Sequence, residues 1–140
     1  MKILVPIRAG QTSDATLEHI VRLRQQFGST PLTLLHVVNL KQMDYRMIPD
    51  FQIDMIRRYA SDAGQALLDK GAALLRDAGL AVSTRLESGY PRDVISQIAN
   101  TEHFDLLIIG RHRRGGLRDA LFGSVSNHVL HEVDCPVLLF

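Results

Sequence analysis

Cysteine is almost missing from this chain of 140 residues: Cys135 stands alone. No intrachain disulfide can form, which suits a reducing compartment. Charge bias is missing as well. Sixteen Lys and Arg against fifteen Asp and Glu leave a formal net charge of +1, so bulk electrostatics offers no attraction to nucleic acid or an anionic membrane. No apolar run approaches the ~20 residues that a membrane-spanning helix needs. The chain begins directly on a strand-like run after Lys2, without charged leader, apolar region and cleavage site. The expectation is therefore a cytoplasmic protein with neither nucleic acid nor membrane as partner.

Catalytic signatures are scarce too. The Walker pattern of nucleoside triphosphatases is absent, and so is Gly-x-Gly-x-x-Gly after the first strand. A phosphate-accepting response regulator needs carboxylates at its strand ends, whereas the first strand here ends in Ile7-Arg8. No Ser/His/Asp or Cys/His set is placed by spacing to act together. The expectation is a protein that is not an enzyme.

What is present is a strict alternation of strands and helices. Lys2 to Ile7 is an apolar run with Pro6 near its end, where a missing N–H does least damage. Thr12 or Ser13 can cap a helix running to Phe27, with Leu17, Ile20, Val21 and Phe27 at helical spacing and Gly28 as the stop. Pro31 to Val38 is a second strand. After a long connection, Asp50 can cap a helix to Ala78 whose buried face is traced by Ile53, Ile56, Ala60, Ala63, Leu67, Leu74 and Ala78. Gly64 and Gly71 lie on or beside that face; each costs up to ~1 kcal/mol in a helix, so close approach to the sheet is expected there. Leu80 to Leu86 is a third strand. Pro91 opens a helix that turns Val94, Ile95 and Ile98 inward.

The apolar run Asp105 to Gly110 reads as a fourth, buried strand, and Pro136 to Phe140 as a fifth. Between them lie Arg111-His112-Arg113-Arg114-Gly115-Gly116 and then Gly123-Ser124-Val125-Ser126, which opens a helix to Glu132. Strand, glycine loop and helix N-terminus in that order build an anion pocket, because helix N–H groups point out at the ligand. The alternation predicts an α/β domain over residues 1–140, a doubly wound five-stranded parallel sheet with helices on both faces. Ligands in such sheets bind beyond the carboxyl ends of the strands. The loops after Ile7, Val38 and Gly110 therefore face the expected site.

Ile3-Leu4-Val5-Pro6-Ile7, Leu34-Leu35-His36-Val37-Val38, Gly89-Tyr90-Pro91, Asp105 to Gly110, Gly123-Ser124-Val125 and Cys135-Pro136-Val137-Leu138-Leu139 together resemble the universal stress protein family, in order and in spacing. The resemblance spans essentially the whole chain and implies an adenine nucleotide alpha hydrolase-like fold. Some members bind ATP through a loop of Gly, two residues, Gly, nine residues, Gly and then Ser or Thr; others lack the loop and do not. Gly110 and Gly123-Ser124 match its ends, but Arg113 replaces the middle Gly, and Arg8 stands where ATP-binding members commonly end the first strand in Asp.

Arg113 strains a position suited to glycine by roughly 1 kcal/mol, and Arg8 cannot accept a hydrogen bond. Against this, Arg8, Arg111, Arg113 and Arg114 offer phosphate-shaped donors. The candidate site is Pro6, Ile7, Arg8, Val38, Gly110, Arg111, Arg113, Gly116, Gly123, Ser124, Val125 and Ser126. Its expected ligand is an anion or adenine nucleotide such as ATP, with Mg²⁺ only alongside nucleotide, held without significant turnover. The alternative is an interaction or adaptor module whose altered loop has lost ATP.

Blander roles fit the remaining features. His112 reads as a solvated loop residue, His36 as a satisfied core histidine, and Cys135 as a small buried hydrophobe, with redox sensing the lesser reading. His128 and His131 have helical metal spacing without a partner pattern. The last strand falls at a sheet edge, which is exposed unless paired. As in many relatives, the expected partner is a second copy through Val137 to Phe140, with an unidentified regulatory protein besides.

Overall fold

The computed structural model describes residues 1–39, 47–111 and 124–140. Within them the chain runs β1 (Ile3–Pro6), α1 (Gln11–Arg22), α2 (Arg24–Phe27), β2 (Leu32–Val38), α3 (Asp50–Asp77), β3 (Val82–Ser88), α4 (Pro91–Thr101), β4 (Leu106–Ile109), α5 (Ser124–Glu132) and β5 (Val137–Leu139). The strands form one sheet in the order β3-β2-β1-β4-β5, and every neighbouring pair is parallel. This is the doubly wound α/β fold.

Alternation along the central strands divides the core. Ile3, Val5 and Leu34 point to one side and bury against Leu17 and Ile20 of α1 and Leu68, Ala72 and Leu75 of α3. Leu4, Leu35, Leu107 and Ile109 point to the other, against Ile95 and Ile98 of α4 and Val129 of α5. A strand buried on both faces reads as an unbroken apolar run. At ~25 cal/mol per Å² of apolar surface, each fully buried Leu or Ile contributes about 1.5–3 kcal/mol.

Several local expectations need correcting. Neither Thr12 nor Ser13 caps α1. The helix starts at Gln11 behind Gly10, whose φ of 134° needs a glycine, and the Ser13 Oγ instead accepts the Arg8 backbone N–H at 2.9 Å. The expected single helix to Phe27 breaks at Leu23, whose N–H is shared between the His19 and Ile20 carbonyls. Pro49, not Asp50, occupies the cap position of α3, and Asp50 lies in the first turn, where its charge complements the helix dipole.

The buried face of α3 is Gly64, Leu68, Gly71, Ala72 and Leu75, while Ala63 and Leu74 face solvent. Leu67 packs half-buried against the core, and Ile53, Ile56, Ala60 and Ala78 are half-buried. The expected trace fails at Ala63 and Leu74, one position short of Gly64 and Leu75, because the true stripe passes through two residues without side chains. A Cβ on Gly64 would stand 2.7 Å from the His36 ring, and one on Gly71 would stand 3.2 Å from Leu34, so both glycines do mark close approach to β2. β3 extends to Ser88 because β2 pairs with it residue for residue, from Leu32 beside Val82 to Val38 beside Ser88. Cys135 is only half-buried, at the border of the α4–α5 side of the core.

Candidate functional site

The order in which strands are added reverses between β1 and β4, which stay parallel. The chain winds outward from β1 to β3, then returns to place β4 on the other side of β1. Helices leaving to opposite faces open a crevice at this point. The crevice is here a cleft of about 580 Å³.

Its floor is the carboxyl ends of three strands: Pro6 ending β1 with Ile7 beyond it, Leu35 to Val37 in β2, and Ile109 ending β4 with Gly110 beyond it. One wall is the start of α1, with Thr12 and Ser13. Another is the start of α5, with Ser124, Val125 and Ser126. Helix α5 brings its first-turn N–H groups, which have no partners within the helix, to the cleft margin. The third wall is the start of α4, where Tyr90, Pro91 and Arg92 line the cleft and the Arg92 guanidinium carbon sits 5.5 Å from the centre of the Tyr90 ring.

Gly110 is fixed by packing. A Cβ there would lie 2.4 Å from Thr16 Oγ1, 2.7 Å from Thr12 Cγ2 and 3.0 Å from the Thr12 carbonyl. The end of β4 therefore presses directly on the first turn of α1, a contact that only glycine permits. Thr16, buried beside it, donates its hydroxyl to the same Thr12 carbonyl at 2.8 Å. His36 is half-buried on the cleft floor, not sealed in the core. Its Nδ1 lies 2.9 Å from the Ile7 carbonyl. A carbonyl only accepts, so Nδ1 carries the proton.

Of the twelve residues named from the sequence, Pro6, Ile7, Arg8, Gly110, Ser124, Val125 and Ser126 line this one cleft. Val38 is buried next to it, its carbonyl accepting the Gly89 N–H at 3.0 Å, and its neighbours Val37 and Asn39 do the lining. Arg111 is exposed outside the lining, with its backbone N–H donated to the Phe140 carbonyl at 2.9 Å. Arg113, Gly116 and Gly123 lie outside the described residues, as do His112 and Arg114. Sequence reasoning missed the α4 wall. Gly89-Tyr90-Pro91 was visible as a helix start, and an arginine in that first turn was the available signal.

The described lining residues include Arg8 and Arg92 but no Asp or Glu. The lining residues that carry hydroxyls are Thr12, Ser13, Tyr90, Ser124 and Ser126. The cleft is thus rich in donors and poor in anionic acceptors, with an apolar floor, which is a setting for an anionic ligand carrying an apolar body. His128, on α5 but outside the cleft lining, has its Nε2 3.7 Å from the Asp93 carboxylate.

Comparison with known proteins agrees with this architecture. The family model described as the universal stress protein family matches residues 1–140. A universal stress protein of Methanocaldococcus jannaschii, MJ0577, is 25% identical, covering 99% of this chain and 93% of its own length. Its solved structure superposes with a TM-score of 0.82. Universal stress protein YxiE of Bacillus subtilis is 27% identical over 99% of this chain and 97% of its own. A family protein from Arabidopsis thaliana, solved with AMP bound, has a TM-score of 0.72 at 23% identity, covering 99% of this chain and 90% of that one. With the family model matched over its full length, the chain belongs to the universal stress protein family.

Proposed function

We propose that this protein binds an adenine nucleotide in the cleft between β1 and β4 and works as a regulatory stress-response protein rather than a catalyst. The observation that carries the proposal is convergence: the carboxyl ends of β1, β2 and β4 and the first turn of α5 meet on one cleft of about 580 Å³. An apolar floor suits a base, and the α5 N-terminus with Ser124 and Ser126 suits phosphate oxygens. The Arabidopsis family protein carries AMP, so ligands of this class fit the fold. ATP is the fuller version of the same ligand, with Mg²⁺ accompanying its phosphates.

A second reading rests on Arg8 and Arg113, the two positions where the chain departs from the ATP-binding pattern. In that reading the domain is an interaction module acting without nucleotide. Titration calorimetry with AMP and with ATP, in the presence and absence of Mg²⁺, separates the two. Saturable heat with a rise in Tm is expected; no heat and no shift at millimolar nucleotide would leave the interaction module.

We also propose a homodimer in the cytoplasm, paired through the edge strand from Val137 to Phe140. Support comes from β5 ending the sheet order, with no strand beyond it among the described residues. A separate regulatory protein would then read the dimer's state.

A further inference from the structure

Arg92 stands where a helix ordinarily avoids a cation. It is the second residue of α4, in the turn that carries the positive end of the helix dipole. The acid of that turn, Asp93, has its carboxylate toward His128 instead, 3.7 Å from Nε2. Arg92 lays its guanidinium over the Tyr90 ring, 5.5 Å from the centre. Among the described residues the guanidinium holds no hydrogen bond or ion pair. Its N–H groups lie in its plane, so a guanidinium resting face-on against a ring keeps them for a ligand.

Both Tyr90 and Arg92 line the cleft. Helices α4 and α5 run side by side in the same direction. Asp93, near the start of one, faces His128 of the other. Asn100, near its end, donates to the Glu132 carbonyl and accepts the Asp134 N–H, at 2.9 Å each. The two helices therefore begin at one corner of the cleft, with Ser124 and Ser126 on one side and Arg92 on the other. A phosphate on the first turn of α5 faces Arg92 across that corner.

The neutral groups of the lining do not single out a phosphate. The hydroxyls of Tyr90, Ser124 and Ser126 both donate and accept, and so does the Asn39 amide, so they serve a sugar or a base as readily. The other cation of the described lining, Arg8, is already engaged. Arg92 responds to negative charge, and its fork matches two phosphate oxygens at once. The Tyr90 ring holds that fork in place, so less side-chain freedom is lost on binding. Resting on the nucleotide reading of the cleft, we infer that Arg92, positioned by Tyr90, is the residue by which the site prefers a phosphorylated nucleoside to a bare one.

The test is calorimetric titration with adenosine and with AMP at one ionic strength. The chains compared are the wild type, Arg92→Gln, Tyr90→Leu, Tyr90→Phe and Arg57→Gln, with thermal unfolding to check that each is folded. Wild type is expected to bind AMP at least ~10-fold tighter than adenosine. Arg92→Gln should bring the two affinities within about 2-fold of each other. Tyr90→Leu should lower the ratio, and Tyr90→Phe, which keeps the ring, should preserve it. Arg57 is exposed on α3, across the sheet from α4, so Arg57→Gln removes the same charge and should leave the ratio intact. A ratio that survives Arg92→Gln, or falls as far in Arg57→Gln, overturns the inference and leaves the nucleotide reading standing. So does equal affinity of the wild type for adenosine and AMP. A ratio unmoved in Tyr90→Leu removes the positioning role of Tyr90. Silence with both ligands removes the inference and the nucleotide reading together.

Discussion

At Gly110 a single hydrogen separates the end of β4 from the first turn of α1. Adding a methyl would drive a Cβ into Thr16 Oγ1 and against the Thr12 carbonyl, and backbone cannot swing aside as a flexible side-chain tip can. Gly110→Ala is therefore expected to destabilise the protein by about 1–3 kcal/mol, read from the urea midpoint at unchanged m-value. It should also weaken ligand binding, because the α1 and β4 walls move apart. Full stability in the variant would contradict the packing described here.

Cys135 belongs to the same scale. Burial first, and the Asp105 and Asp134 carboxylates after it, push its thiol pKa up. A raised pKa keeps the neutral thiol to higher pH, so alkylation should rise at a pH above that of a free cysteine thiol. Rapid labelling at neutral pH would revive the redox reading. These residues also show what a sequence can conceal. The need for glycine at 110 was visible as a loop signature, whereas its cause, Thr12 and Thr16 pressing from a helix almost 100 residues earlier, is a tertiary fact.

Among the elements, α3 shows most clearly where pattern reading succeeds and slips. Its extent from Asp50 was legible, and so was the meaning of its glycines. Its register was not, because Gly64 and Gly71 add nothing to an apolar count yet form the line of closest approach. Gly64→Ala sets a helix-propensity gain of up to ~1 kcal/mol against a Cβ 2.7 Å from His36 Cδ2 and 2.9 Å from Leu86 Cδ1. The clash with the ring wins, since His36 is tied to the Ile7 carbonyl. A net loss of about 1–2 kcal/mol is expected on chemical unfolding, with a lower affinity for any ligand resting on His36. A stabilised variant would mean that β2 and α3 have slack the packing does not show. The α4 wall was missed for a different reason: Gly89-Tyr90-Pro91 read only as a helix start, and it takes the folded sheet to bring Tyr90 and Arg92 to the cleft.

Over the whole molecule, alternation of strands and helices sufficed to specify the sheet, because parallel strands buried on both faces leave continuous apolar runs and crossovers have one hand. The position of the cleft followed from the same topology. The edge position of β5 sets an expectation for assembly. Sedimentation at micromolar concentration should give a dimer, and monomer alone would remove the proposed pairing through Val137 to Phe140.

The central claim is that a nucleotide occupies the cleft at the ends of β1 and β4. Amide chemical shifts followed during titration with AMP test it most directly, because they report location as well as binding. The expected result is saturable movement confined to the cleft, at Arg8, Ser13, Val37, Gly110, Val125 and Ser126, with the far ends of the strands, such as Leu32 and Val82, still. No movement at millimolar AMP, or movement centred away from these residues, would contradict it.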